Sequence, residues 1–312
     1  MPAAQERTVR AVWPALPYEE WKDTRDTLHL WMQIVGKVKL KLSPFLNQWW
    51  EVALEVTPRG MTTGRIPYQD KALAVDFDFL THTLALTTNE GAGQQILLRP
   101  YSVAEFYREF LSALAALDID VTITPTPSEI ARPIPFAEDT QHASYDSVYV
   151  TQWWQIQLRS SFILDRFRTN FRGKSSPVQF FWGSFDLNTT RFSGKRLPDK
   201  TDWPKGYRFM RYAENEENFA CGFWPGDERF PHAAFYSYLY PAPAGCETID
   251  TGPPPSFFHG ELRECLLPYA EVRRAEDPEE EILDFLETTY HQYAALAGWD
   301  VESLTSPVPV LA

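Results

Sequence analysis

Between positions 49 and 99 the sequence passes through five short stretches in which apolar and polar residues alternate: 49–57, 61–68, 72–79, 83–88 and 95–99. Alternation puts successive side chains on opposite faces of an extended chain, so each stretch reads as a strand with one buried face. Turn residues separate them, among them Pro58-Arg59-Gly60 and Asn89-Glu90-Gly91. A parallel crossover needs about a dozen residues or more, and these gaps are far shorter. The stretches predict an antiparallel meander. In 72–79, Leu73, Val75 and Phe77 share the apolar face, Asp76 and Asp78 share the other, and His82 follows the turn.

Helical patterns flank the meander. Trp21, Leu28, Trp31, Met32, Val35 and Val38 recur at helical spacing from about Tyr18, and Ser43-Pro44 ends the pattern. His29, Gln33 and Lys37 lie four apart on one line of this helix. Such a stripe either faces a site or is a buried set satisfied by its own neighbours. Ser102 with Glu105 makes a capping box for a second helix, and 121–123 read as one more strand. Pro125, Pro127, Pro133 and Pro135 mark a linker. The expected organisation is a first half at 1–124, a linker at 125–143 and a second half at 144–312.

The second half repeats the order. A long helix is expected over 144–171, strands over 218–224 and 233–240, and a loop over 251–256. Asp277 caps a last helix, with Pro278 at its first position, which ends at Gly298. Ser43-Pro44 is answered by Ser176-Pro177, Trp50 by Trp182 and His82 by His232. The expected fold is α+β: antiparallel sheet covered by long helices, with internal duplication of a helix–strands–helix unit packed as one body.

The stretch 173–198 is the densest mixture of aromatic, polar and turn residues. Gly173-Lys174-Ser175 invites a phosphate-loop reading, but the required first glycine is Arg168, and a helix precedes the motif where a strand should. The plainer reading is a helix closed by Gly173. From Val178 the chain alternates, with Gln179, Phe181, Gly183, Phe185 and Leu187 on one face and Phe180, Trp182, Ser184, Asp186 and Asn188 on the other. The second set begins aromatic and ends polar, which suits a ligand pocket or a plain solvent-facing strand.

A formal charge of −13 argues against nucleic acid and anionic membrane surfaces as partners. Cys221, Cys246 and Cys265 give no disulfide framework and no paired metal motif, and they fit a reducing, cytoplasmic setting. The first 17 residues have no apolar core of signal-peptide length. No G-x-S-x-G, H-E-x-x-H, G-x-G-x-x-G or EF-hand pattern occurs. Asp76, Asp78 and His82 are candidate metal or acid–base groups, as are His232, Asp227 and Glu228, although Leu84 and Ala234 stand where a two-histidine phosphoesterase needs a hydroxyl. Glu138, Asp139 and His142 precede a helix, where acids are ordinary.

Trp13-Pro14-Ala15-Leu16-Pro17, Thr27-Leu28-His29-Leu30-Trp31, Gln33-Ile34-Val35-Gly36-Lys37, Asp76-Phe77-Asp78-Phe79 and the run from Gly173 to Leu187 resemble a bacterial family catalogued only as a domain of unknown function. The resemblance extends to Leu296-Ala297-Gly298-Trp299-Asp300. It implies a bacterial, soluble protein and carries over no activity, cofactor or catalytic residue. The leading expectation is a small organic molecule bound in an aromatic-lined cleft between the halves, at Trp182, Ser184, Asp186, Asn188, His29 and Gln33. The alternatives are a hydrolytic enzyme, metal-assisted or not, using His82, His232, Asp76 and Asp78, and a protein-interaction scaffold. The sequence names no cofactor and no metal ligand set.

Overall fold

Helix α1 (Tyr18–Leu42) runs between the two halves of the molecule, and most of its residues from Tyr18 to Lys39 are buried. The computed structural model describes residues 13–306; residues 1–12, most of the run read for a signal peptide, lie outside the described residues. Glu19 and Glu20 in the first turn and Lys39 and Lys41 in the last complement the helix dipole. The helix stops at Leu42 because the residue before a proline is kept out of the helical region, and Ser43 is extended at ψ 142°.

The first sheet comprises β1 (Glu55–Thr57), β2 (Gly60–Thr62), β3 (Ile66–Tyr68), β4 (Lys71–Asp78), β5 (Thr83–Thr88) and β6 (Gly93–Leu97). It is the expected antiparallel meander in the order β1-β2-β4-β5-β6, with β3 also paired to β4. Leu73, Val75 and Phe77 are buried as the alternation requires. Helix α2 (Val103–Ala115) begins with the expected capping box of Ser102 and Glu105. Three expectations fail here. Residues 49–57 are not one strand, because Gln48 and Trp49 take left-handed φ values of 50° and 62° and delay β1. Residues 61–68 break at Gly64, φ 59°, into β2 and β3. Residues 121–123 form no strand.

Residues 125–143 pack against their neighbours. Phe136 is fully buried beside Tyr107, Asp139 is 1% exposed, and its carboxylate binds the Gln141 and His142 amides and His142 Nδ1. The Glu138, Asp139 and His142 group is thus a loop brace at the start of α2. Helix α3 (Ser147–Arg168) is capped by Asp146. It ends before Gly173, so that glycine does not close it; a Cβ there would lie 2.7 Å from Phe171 and 2.9 Å from Leu304.

The second sheet comprises β7 (Gln179–Phe181), β8 (Asp186–Arg196), β9 (Glu216–Trp224), β10 (Ala234–Tyr240), β11 (Phe257–His259) and β12 (Glu264–Pro268), ordered β7-β8-β9-β10-β12-β11 and antiparallel throughout. Helix α4 (Pro278–Leu296) is capped by Asp277 as expected. Single helical turns occur at Met210–Ala213, Tyr269–Val272 and Val301–Leu304. One sheet face packs on α3 and α4 through Leu187, Phe219, Cys221, Phe223, Phe235 and Leu267, all buried. Arg191 is buried there too, its guanidinium 3.4 Å from the centre of the Phe167 ring.

The expected single strand from Val178 is a hairpin. Trp182 to Phe185 form its turn, with Phe185 at φ 63° and its amide donating to the Phe181 carbonyl at 2.8 Å. Phe180 pairs with Leu187, and Phe181 with Asp186. A turn of even length pairs odd positions with even ones, so the faces read from straight alternation are exchanged across it. Phe180 lies with Leu187 on the helix-covered side, and Gln179 and Phe181 lie with Asp186 and Asn188 on the other.

The sheets meet at their edges, where Leu54, just before β1, pairs with Phe180 of β7. One core cluster extends from Trp13 to Trp299 through both sheets. Among the described residues no helix is long and apolar enough to cross a membrane.

Candidate functional site

The face of the second sheet opposite α3 and α4 carries a strip of small residues along β9. Ala220 stands between Thr190 and Tyr238, and Gly222 between Asn188 and Tyr236. Because Gly222 has no side chain, Asn188 Nδ2 reaches across β9 to donate to the Tyr236 hydroxyl at 2.9 Å. The Tyr236 hydroxyl donates to Asp186 Oδ2, Ser184 donates to Asp186 Oδ1, and Thr190 Oγ1 donates to Asn188 Oδ1 at 2.9 Å. Asp186 is 8% exposed, and burial pushes its carboxyl up despite the hydrogen bonds from Ser184 and Tyr236 that favour the charge.

Three more carboxyls, from other segments, are shifted in the same direction. Burial pushes Glu264 of β12 up to about 8, with the Asp186 charge adding to the shift and Arg229 opposing it. Burial raises Glu214, just before β9, to about 7 against a hydrogen bond from Asn218 Nδ2 of 2.7 Å. Burial raises Glu129 to about 7, with Asp186 adding and Lys37 opposing. All three residues are half-buried. Burial pushes the Tyr238 hydroxyl well up from its ordinary value, and its ring stacks 6.3 Å from that of Tyr236. Among the described residues neither the Glu129 nor the Glu264 carboxyl has a hydrogen-bond or ion-pair partner. Carboxyls held near neutrality are suited to exchanging protons as well as to binding.

The α1 stripe places one of these acids. Gln33 grips the Ser128 backbone from both sides, donating to its carbonyl at 2.9 Å and accepting from its amide at 2.7 Å. Lys37 Nζ donates to Ser128 Oγ at 2.8 Å; burial lowers its ammonium to about 8. His29 Nε2 lies 2.9 Å from the Trp182 carbonyl, 3.0 Å from that of Gly183 and 3.1 Å from Gln33 Nε2. Burial lowers its imidazole to about 4 and keeps it neutral. The next residue after Ser128, Glu129, takes φ 59° and lays its carboxylate where a side chain on Gly183 would stand, 2.0 Å from an added Cβ.

The residues singled out in the sequence divide between this hydrogen-bond network and the packing beside it. Ser184, Asp186 and Asn188 join one network. Trp182 is a wedge between the halves: it is 5% exposed, and its indole donates to the Val52 carbonyl at 2.9 Å. His29 and Gln33 are buried beneath the turn and act on backbone. Asp78 belongs to a turn, accepting from the Leu80 and Thr81 amides and pairing with Arg59 at 2.6 Å. His82 Nδ1 lies 2.9 Å from the Tyr145 hydroxyl, whereas His232 lies against Phe230, so the two histidines share no contact. Asp227 pairs with Arg229. Among the described residues no three or more metal-type side chains converge.

Tyr236, Tyr238, Glu214, Glu264 and Glu129 were not singled out in the sequence. The alternation in 233–240 does place both tyrosines on one face, but Glu129 reaches the site only by long-range packing. Two depressions lie elsewhere. One of about 310 Å³ is lined by Ala85 to Thr87 and Gly93 to Gln95, and one of about 280 Å³ includes Gln48, Arg211 and Asn215. The first has no charged group. In the second, Arg211 already pairs with Asp199 and Gln48 Nε2 with Asn215.

No curated protein and no solved structure matches the chain. Residues 13–306 match the model of a family of unknown function, DUF5996, so the chain belongs to that family.

Proposed function

We propose that the β9 face of the second sheet, beside the junction of the two halves, binds a small organic molecule. The observation that carries this reading is the hydrogen-bonded set of Ser184, Asp186, Asn188 and Tyr236, which lies on one face with Tyr238. A few placed polar groups beside aromatic rings are the composition of a ligand site. A thermal-shift screen against a metabolite panel tests it. A ligand that binds only the native state raises Tm according to RT ln(1 + [L]/Kd), and the shift should vanish in Asp186→Asn. A shift retained in that variant places the ligand elsewhere and ends the reading.

Hydrolysis by general acid–base catalysis is the second reading, favoured by Glu129 and Glu264 being held near neutrality. A partner-binding role instead rests on the exposed Phe45, Leu46 and Tyr212. Duplication of the helix–sheet–helix unit is supported by His82 and His232, each lying between the third and fourth strands of its sheet order. Free thiols at all three cysteines support a cytoplasmic setting, and the net charge of −13 argues against nucleic acid as partner.

A further inference from the structure

The first sheet ends at β6, and among the described residues no backbone group pairs with the outer side of that strand. The Ala92 carbonyl accepts from the Thr88 amide at 2.9 Å, and the Leu98 amide donates to the His82 carbonyl at 2.7 Å. Ala92 and Leu98 therefore face β5, and so do the even positions between them. The N–H and C=O groups of Gly93, Gln95 and Leu97 point away from the sheet. Of these the Leu97 carbonyl accepts from the Tyr101 hydroxyl at 3.1 Å. Sheet edges are ordinarily blunted by charges, proline or bulges. Residues 91–98 hold no charged residue and no proline, and the β5–β6 register is unbroken. The opposite edge of this sheet is engaged, through Leu54 and Phe180.

We propose that β6 pairs antiparallel with β6 of a second copy of this chain about a twofold axis at Gln95, joining the first sheets of two molecules into one. Self-complementarity selects a second copy over a strand of another protein. In this register Gln95 faces itself and Gly93 faces Leu97 of the second copy, and directly opposed residues share a face of the sheet. Leu97 is 56% exposed, and Gly93 borders a hollow of about 310 Å³ lined by Ala85 to Thr87 and Gly93 to Gln95. Each Leu97 is thus a projection set beside the other copy's gap. The charges agree as well. Arg99, just past the strand, comes opposite Gly91 of the second copy and next to its Glu90, whose side chain is half exposed beside Lys71. The twofold repeats that pair of opposite charges at the other end. A net charge of −13 sets two copies against each other elsewhere, and the uncharged run is where they can approach. The contact lies on the first sheet and is independent of the ligand face on the second.

The test is sedimentation equilibrium of the full chain over a concentration series reaching about 1 mM, so that weak association is populated. The parent should form dimers. Gln95→Lys and Gln95→Glu should each weaken dimerisation at least about tenfold, because the twofold sets each introduced charge against itself. An equimolar mixture of the two variants should recover dimers, since one lysine then faces one glutamate; only a residue that meets its own copy behaves in this way. Leu97→Ala should weaken dimerisation about tenfold, the scale for burying a leucine side chain. Gln95 and Leu97 are exposed, so circular dichroism of the variants should match that of the parent. A parent that stays monomeric throughout the series overturns the pairing and leaves the edge to a strand of another protein. Dimers that survive both Gln95 changes overturn it too, because the contact then lies elsewhere. Loss in both variants without recovery on mixing overturns the twofold at Gln95.

Discussion

Leu54 and Phe180 exchange two backbone hydrogen bonds of 2.8 Å, and this pair couples the edge of one six-stranded sheet to the edge of the other. Edge strands carry unpaired backbone groups, and here each edge uses the other. The junction also receives Trp182, whose indole donates to the Val52 carbonyl two residues before Leu54. The seam is therefore held by backbone and by one buried tryptophan.

Gly36 is the position most sensitive to that wedge. An added Cβ would lie 2.3 Å from Trp182 Nε1, inside any permitted contact. Alanine should gain about 1 kcal/mol of helix propensity, but overpacking costs about 1–3 kcal/mol and the Trp182 hydrogen bond is disturbed as well. We expect Gly36→Ala to be destabilised on balance, and the double variant Gly36→Ala/Trp182→Leu to lose less than the sum of the single changes. Urea unfolding of the four proteins checks this; a Gly36→Ala variant more stable than the parent refutes it.

Asp186 and Tyr236 should be energetically coupled. Tyr236→Phe removes a donor from a buried carboxylate and the acceptor that Asn188 uses. The expected loss is about 1–3 kcal/mol, and a double-mutant cycle with Asp186→Asn should return a coupling above about 0.5 kcal/mol. Additive effects would mean that the two groups do not form the network.

The recessed carboxyls set a pH dependence. Burial raises Glu129 and Glu214 to about 7 and Glu264 to about 8, from an ordinary value of 4.5. An acid raised in the folded state holds its proton more tightly folded than unfolded. Its contribution is therefore full below pH 4.5 and is lost as pH rises toward the folded value. His29, lowered to about 4 from 6.5, acts in the opposite sense and costs stability as pH falls from 6.5 toward 4. Denaturation midpoints from pH 4 to 9 should show Glu264→Gln flattening the upper limb and His29→Gln the lower; no change in slope for Glu264→Gln would contradict the recessed position.

Arg191 should resist replacement by lysine. Its guanidinium donates to the Phe167 carbonyl and to Asn170 at 3.2 Å, and lies 4.4 Å from the centre of the Tyr290 ring. A planar fork stacked on rings has no counterpart in an ammonium. Arg191→Lys should cost about 1–3 kcal/mol, whereas Arg191→Met, which buries no charge, should cost less. Thermal unfolding of both variants decides the order.

The sequence by itself determined the features governed by neighbours along the chain. Ser102, Asp146 and Asp277 cap helices because a side-chain oxygen meets an amide two or three residues ahead. The meander follows from alternation and short turns, and the period-two run in β10 puts Tyr236, Tyr238 and Tyr240 on one face. Tertiary structure decided what depends on segments far apart. The turn at Trp182 to Phe185 is held by the Val52 carbonyl and by His29, more than a hundred residues away, and its even length exchanges the faces that straight alternation assigns. Glu129 looks like one acid in a proline-rich stretch until Gln33 and Lys37 fix Ser128 and set the next carboxylate above Gly183. Local hydrogen bonds and periodicity are written in consecutive residues, but the pairing of distant surfaces is fixed only when the whole core closes around α1.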